Sequence, residues 1–366
     1  DATCTNMSLP PVDPFARDRL PPTEQLPRMI FELPELQFDA RLNCATELLD
    51  RRVARGDGER IAVLGAAPDG TPIRWSYAEL QRQANRIASV LVEDMGLVPG
   101  NRVLLRGANS AMLAACWFAV VKAGGIAVGT MPLLRARELT AIVTKAEITH
   151  ALVDARLADE LESALPQCPT LTHLRLFNGA AGSGLEAAAA AKPTHFDNAT
   201  CIMPFPSGTT GHSTAAMHFP RDAMAACACW PRHVLRAVPS DVFIGSPPLA
   251  FTFGLGGLLL FPMSIGAACA LVEKANPEAL AAAIGSYRAT VCFTSPTAYR
   301  AIAMQAAQHD LSSLRKCVSA GEALPAATRT LWHDVTGIRI IDGIGSTEML
   351  HIFISNRPDK VRYGTT

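Results

Sequence analysis

Residues 315–348 read RKCVSAGEALPAATRTLWHDVTGIRIIDGIGSTE. The pattern predicts a strand over Arg315–Ser319, a helix over Pro325–Val335 and a second strand over Ile338–Asp342. A strand, a helix and a strand in that order make a parallel crossover, the repeating unit of a doubly wound sheet. Each strand runs into a short polar segment: Ser319-Ala320-Gly321-Glu322-Ala323 after the first and Asp342-Gly343-Ile344-Gly345-Ser346-Thr347-Glu348 after the second. Ligands of such sheets sit outside the carboxyl ends of the strands, so both segments are candidate ligand contacts.

The same rhythm extends upstream. Strands are expected at Cys201–Phe205, Ala215–Phe219, Val242–Gly245, Ala268–Val272 and Thr290–Thr294. Helices are expected at Asp222–Ala237, Phe253–Met263, Pro277–Tyr287 and Thr297–Gln308, and Pro231 should kink or split the first of these. Further back, strands at Val103–Leu105, Ile126–Val128, Ala151–Val153 and Leu174–Phe177 alternate with helices at Ala111–Val121, Glu138–Lys145 and Leu157–Leu165. Pro68-Asp69-Gly70 sets a hairpin between Ile61–Leu64 and Ile73–Trp75, and Ser76-Tyr77-Ala78-Glu79 is a capping box opening a helix that ends near Gly96. Asn43 is positioned to cap a helix from Cys44 to Arg55, stopped by Gly56. The expected fold class is α/β, two doubly wound sheets covered by helices. The expected organisation is a surface arm over 1–43, a first α/β subdomain over 44–199 and a second over 200–366. The Gly/Ala-rich run Gly179–Lys192 precedes the division.

Composition narrows the function. Of 366 residues, 49% are hydrophobic, enough to bury a sizeable core. Lys+Arg and Asp+Glu are 33 each, so no basic excess exists for nonspecific nucleic-acid binding and no polybasic run marks a membrane-surface helix. That balance gives weak colloidal protection and allows self-association, for instance as a homodimer. The apolar stretches Ala111–Val121 and Leu249–Phe261 are far shorter than the roughly 20 residues of a membrane span and read as buried core helices. Ten cysteines include no CxxC pair, which argues against a zinc site and for buried free thiols in a reducing cytosol. The start, DATCTNMSLPPVDPF, does not read as a signal peptide.

A third polar loop, Ser207-Gly208-Thr209-Thr210-Gly211, follows the strand at Cys201–Phe205. Glycine lets backbone N–H groups converge on an anion, and the hydroxyls add neutral donors. GxxxxGK[ST] is absent, so this is not a Walker A loop. Taken alone the run reads more readily as a plain polar loop. Three such loops, each at a strand end, favour a nucleotide site.

Ser207–Gly211, Ser319–Ala323 and Asp342–Glu348, in that order and spacing, resemble the adenylate-forming superfamily of acyl- and aryl-CoA ligases. FARDRLPP from Phe15, ELPELQFDARLNCA around Leu33, SPPLAFTFGLGG from Ser246 and GIGSTEMLHIFISN from Gly343 resemble its benzoate and 2-aminobenzoate CoA ligases. The resemblance covers essentially the whole chain. It implies the acetyl-CoA synthetase-like large N-terminal domain. It also implies an ATP-dependent reaction in the cytoplasm, in which an aromatic acid becomes an acyl-adenylate and CoA thiolate displaces AMP.

By motif, the resemblance gives Ser207, Gly208, Thr209, Thr210 and Gly211 to the β- and γ-phosphates and Thr347 to the α-phosphate. Glu348 becomes the Mg2+ ligand. Gly321, Glu322 and Ala323 form one wall of the adenine slot, with Asp342 and Gly343 on another side. Phe251, Thr252, Phe253, Gly345, His351 and Ile352 form the acid pocket, with His351 near the substrate carboxylate. Core packing is the competing reading of Phe251 and Phe253, and a backbone bond that of Thr252.

Two departures matter. The family's phosphate loop usually continues Gly-x-Pro-Lys, but here Gly211-His212-Ser213-Thr214 puts Thr214 where the lysine stands. A charge-assisted phosphate contact worth on the order of 1.5–3 kcal/mol is thereby lost, with His212 or Arg221 as candidate substitutes. The chain also ends at Thr366, where family members continue into a mobile C-terminal domain; its absence predicts little or no ligase turnover by this chain alone. A non-catalytic module that keeps the nucleotide and aromatic-acid pocket is therefore the alternative.

Overall fold

The computed structural model describes residues 12–25, 28, 30, 32–39, 42–180, 184–196, 205–208 and 215–362. The strands among them are β1 (Ile61–Ala66), β2 (Pro72–Ser76), β3 (Arg102–Arg106), β4 (Ile126–Thr130), β5 (His150–Asp154), β6 (His173–Phe177), β7 (Phe205–Gly208), β8 (Ala215–His218), β9 (Val242–Gly245), β10 (Ala268–Ala270), β11 (Val291–Thr294), β12 (Lys316–Ser319), β13 (Ile340–Gly345) and β14 (Ile352–Ser355). An eight-stranded sheet runs β14-β13-β12-β11-β9-β10-β1-β2, a four-stranded sheet runs β4-β3-β5-β6, and β7 pairs with β8 as a separate hairpin. The four-stranded sheet is wholly parallel. In the larger sheet only the edge pairs, β1 with β2 and β13 with β14, are antiparallel.

Side-chain alternation explains why both faces of each sheet are covered. On β9, β11, β12 and β13, Phe243, Val291, Phe293, Val318 and Ile341 enter the main core. Their neighbours Ile244, Cys292, Cys317 and Ile340 enter a second core, under the helices Pro277–Tyr287, Pro296–Met304 and Ala326–Thr336. On β3 and β5, Val103, Leu105 and Leu152 join the main core, while Leu104, Ala151 and Val153 face a third. The main core therefore lies between the two sheets.

The helix Ala111–Lys122 fills that middle layer. Ser110 caps it by accepting from Leu113 N–H, and every residue except Met112 is buried. A helix covered on all sides has no use for a polar face, which is why its sequence is apolar from Ala111 to Val121. Its final residue, Lys122, is buried and paired through Nζ with Asp50 Oδ1. The capping box at Ser76 forms in both directions: Glu79 N–H to Ser76 Oγ at 3.2 Å and Ser76 N–H to Glu79 Oε2 at 2.7 Å.

Some boundaries differ from those expected. Of the strand expected at Cys201–Phe205, residues 201–204 lie outside the described residues, and Phe205 opens β7. The helix expected over Asp222–Ala237 runs Pro220–Trp230 and then continues as a wider turn over Pro231–Leu235, because Pro231 has no N–H to continue the ladder. β13 runs on past Asp342, its expected last residue, to contain Gly343 and Gly345, so these two sit in a strand and not in the loop beyond it. The added length is paired with β14, a strand the sequence reading did not anticipate. Position 199 does not divide the sheets: β1 and β2 belong with β9–β14. The described cysteines are all free, and among them only Cys229 is exposed. No helix of the described residues is long and apolar enough to cross a membrane.

Candidate active site

The site is built where β13 turns back into β14. Met349 N–H donates to Ser346 Oγ at 3.2 Å and Leu350 N–H to the Thr347 carbonyl at 3.1 Å, closing a turn over Ser346–Leu350. Leu350 has φ 66°, a left-handed conformation that costs a branched residue roughly 1–2 kcal/mol. Its side chain is buried, and that packing holds the strained turn in place. Gly345 is required here by the chain's own backbone. A Cβ on Gly345 would lie 2.9 Å from the His351 carbonyl oxygen, so the room it leaves is taken by the chain's own backbone. Gly343 likewise admits Ile352, whose Cγ2 would lie 2.7 Å from an added Cβ.

The β7–β8 hairpin is fastened to this turn. Thr347 O can only accept, so His218 carries its proton on Nε2 and donates to it at 2.6 Å. Ser207 pairs across the hairpin with Ala216, and Gly208 with Ala215. Ala216, Met217 and His218 line an open cleft of about 1290 Å³ together with Arg221, Asp222, Trp230, Glu348, His351 and Ile352. Ser207 and Glu348 thus belong to the same region of the molecule. Thr209, Thr210 and Gly211, with His212, Ser213 and Thr214, lie outside the described residues.

His351 forms the most constrained part of the cleft wall. It is 3% exposed. The rings of Phe261, Phe253, Trp230 and Phe293 surround it, with centroids at 4.4, 5.4, 5.8 and 6.0 Å. Its Nε2 donates to the Phe253 carbonyl at 3.3 Å. Its Cδ2 edge lies against Gly256, where a Cβ would approach to 2.5 Å. Burial penalises the imidazolium and pushes the pKa down to about 3, so the ring is neutral near pH 7.

The other expected residues are placed elsewhere. Phe251 and Thr252 line a second, small apolar cavity with Leu105, Trp117, Gly129 and Leu249; it shares His218 and Leu350 with the cleft. Phe253 is half-buried and points its ring at His351 and Phe293. Gly321, Glu322 and Ala323 are exposed after β12, with Gly321 at φ 94°. Glu322 Oε1 accepts from Thr297 N–H at 3.2 Å and from Thr297 Oγ1 at 2.8 Å, which ties this loop to the helix Pro296–Met304. Glu348 is exposed in the cleft, and Asp342 is half-buried on β13. Sequence reasoning missed His218 and Trp230. His218 carried a faint signal, since it ends the strand after the Ser/Thr/Gly loop; Trp230 carried none.

A family of AMP-binding enzymes matches residues 49–366. The chain belongs to that family. Among its curated relatives is a benzoate–CoA ligase of Thauera aromatica, 31% identical over 345 residues, covering 91% of this chain and 64% of the relative. An anthranilate–CoA ligase of Pseudomonas aeruginosa is 31% identical over 298 residues, covering 78% of this chain and 54% of the relative. A crystal structure of an anthranilate CoA ligase in complex with anthranoyl-AMP superposes with a TM-score of 0.84 at 31% identity, covering 91% of this chain and 64% of that one. The chain thus spans less than two thirds of the length of these relatives. The expected fold class agrees with that likeness.

Proposed function

We propose that this AMP-binding chain forms the nucleotide- and acid-binding part of an aryl-CoA ligase. An aromatic carboxylate attacks the α-phosphorus of ATP, pyrophosphate leaves, and CoA thiolate displaces AMP from the acyl-adenylate. A carboxylate is a poor electrophile, and joining its oxygen to phosphate supplies the leaving group. The observation that carries this reading is the shared cleft of Glu348, His351 and Ile352, fastened through His218 to the hairpin that holds Ser207.

The residues fit Mg2+ in one specific sense. Glu348 offers a hard, exposed carboxylate oxygen, while no cluster of three or more His, Cys, Asp or Glu occurs among the described residues. The remaining ligands would be phosphate oxygens and water, the usual arrangement for this ion. Mg2+ supplies neutralisation of phosphate charge. Arg221 lines the same cleft and is the cation suited to replace the lysine absent at Thr214. Ser207–Gly211 are assigned to the phosphates, Thr347 to the α-phosphate, and Gly321–Ala323 with Asp342 and Gly343 to the adenine. The free thiols support a reducing, cytosolic setting.

A crystal soaked with Mg·ATP and an aromatic acid tests the reading. The ring is expected in the Trp230–His351 cleft with the phosphates toward Glu348. Density for the ring only in the Phe251 cavity, or for neither ligand, contradicts it. Thr214 favours a second reading, a binding module without turnover. Thr214→Lys in a chain joined to the C-terminal domain of such a ligase separates the two, because the pair of changes should raise turnover only in a ligase.

A further inference from the structure

Besides the hairpin, the helix Pro220–Trp230 and the turn into β14, the N-terminal arm walls the cleft: Leu20 and Pro21 line it. The segment that carries them is fastened immediately upstream. Asp13 Oδ2 accepts from Arg102 Nη1 at 2.6 Å and from Asn101 Nδ2 at 2.9 Å, and Asp13 N–H donates to the Pro99 carbonyl at 2.8 Å. The guanidinium groups of Arg102 and Arg19 stand over the Phe15 ring, 4.1 and 3.7 Å from its centroid. Arg19 Nη2 also meets Glu147 Oε1 at 2.5 Å. These anchors lie around the start of β3 and the loop before β5, and they end at the residue before Leu20. Further along the arm, Glu35 Oε1 lies 3.3 Å from Nε2 of His233, which lines the same cleft. Between the two fastenings Pro21, Pro22, Glu24 and Gln25 are exposed, so no core holds that stretch. Its position rests on ionic and cation–π contacts, and a segment held this way opens locally at little cost.

Resting on the aryl-CoA ligase reading, we propose that Phe15 is a positioning residue. Through its two arginines it holds Leu20 and Pro21 against the ring of the bound acid, so that residues 13–21 act as a strap over the acid site. A flat ring gains affinity when both of its faces lose water, and sites for small ligands cover most of the ligand's surface. The Trp230 wall covers one face, and Leu20 with Pro21 covers the other. Both wall residues of the strap are apolar, and both sit on a segment that lifts away to admit the acid and settles back. Acid binding and strap closure then favour each other.

The test is hydrogen exchange over residues 13–21 of the 366-residue chain with Mg·ATP present. It is read without benzoate and with benzoate at about ten times its calorimetric Kd. The amides of Phe15, Asp18, Arg19 and Leu20 report closure, since they donate to Asp13 Oδ1 and to the carbonyls of Pro14, Ala16 and Arg17. An acid that binds only beneath the closed strap slows their exchange about tenfold at that concentration. Phe15→Leu, similar in bulk but without a ring face, should speed their exchange at least about fivefold in the absence of benzoate and weaken benzoate binding. Phe15→Tyr keeps the ring face and should behave as wild type. Exchange that benzoate leaves unchanged, while calorimetry shows it bound, overturns this inference alone. A Phe15→Leu chain equal to wild type in both readouts overturns it as well. No binding of benzoate removes the aryl-CoA ligase reading and this inference with it. The wild-type comparison decides even where a variant fails to fold.

Discussion

His218 and Thr347 are joined side chain to backbone: Nε2–H meets the Thr347 carbonyl at 2.6 Å. That bond links the hairpin of Ser207 to the turn of Glu348. His218→Ala leaves a carbonyl without this donor and frees the hairpin from the turn. The expected result is Mg·ATP binding weakened about tenfold, measured by calorimetry, at the ~1.4 kcal/mol that one decade represents.

Gly256→Ala probes the aromatic box around His351. The new Cβ would sit 2.5 Å from Cδ2, closer than packed atoms tolerate, and the ring is enclosed by four aromatic neighbours. Overpacking of this kind costs about 1–3 kcal/mol, so the melting temperature should drop by roughly 2–12 °C in a thermal scan. Binding of aromatic acids should weaken with it.

Burial of His351 also sets an acid limit. Its folded pKa, pushed down to about 3, lies below the roughly 6.5 of an unfolded histidine. Between those values the unfolded chain binds the proton and the folded chain does not. Stability therefore holds above about pH 6.5 and falls on acidification, at up to about 1.4 kcal/mol per pH unit from this group. His150, held against the Met95 carbonyl at 2.9 Å and shifted down chiefly by burial, adds in the same direction. Urea melts at pH 7 and pH 5 should show the loss, and His351→Asn should reduce it.

The Lys122–Asp50 pair predicts an asymmetry. Lys122 is 1% exposed as a side chain, and Asp50, its ionic partner, also accepts from Gln81 Nε2 at 2.7 Å. Asp50→Ala strands a buried ammonium and should cost about 3–5 kcal/mol, while Lys122→Met replaces the charge by similar volume and should cost far less. Chemical denaturation of the two variants makes the comparison. Equal losses would mean that burial of the charge does not govern this position.

Most of the fold could be read because its signals are local. Ser76 and Glu79 cap a helix through contacts three residues apart. The apolar run Ala111–Val121 is bounded by its own cap and by Lys122. The site was less legible because it depends on distant partners. β14 forms only by pairing with the end of β13, which turned an expected loop into strand and moved Gly343 and Gly345 into it. Phe251 and Phe253 are two residues apart, yet one lines the small cavity and the other packs against His351. The sheets exchange strands across position 199 because β1 finds its partner in β10, some two hundred residues later. No pattern within a single segment carries such pairings.

The central claim is that the exposed carboxylate of Glu348 serves a metal-bound triphosphate in the same cleft as His351. Calorimetric titration of ATP into wild type and Glu348→Gln, with Mg2+ and again with EDTA, tests it most directly. The account predicts that the variant binds Mg·ATP at least about tenfold more weakly and that the difference vanishes in EDTA. Equal affinity of the two proteins for Mg·ATP would contradict it.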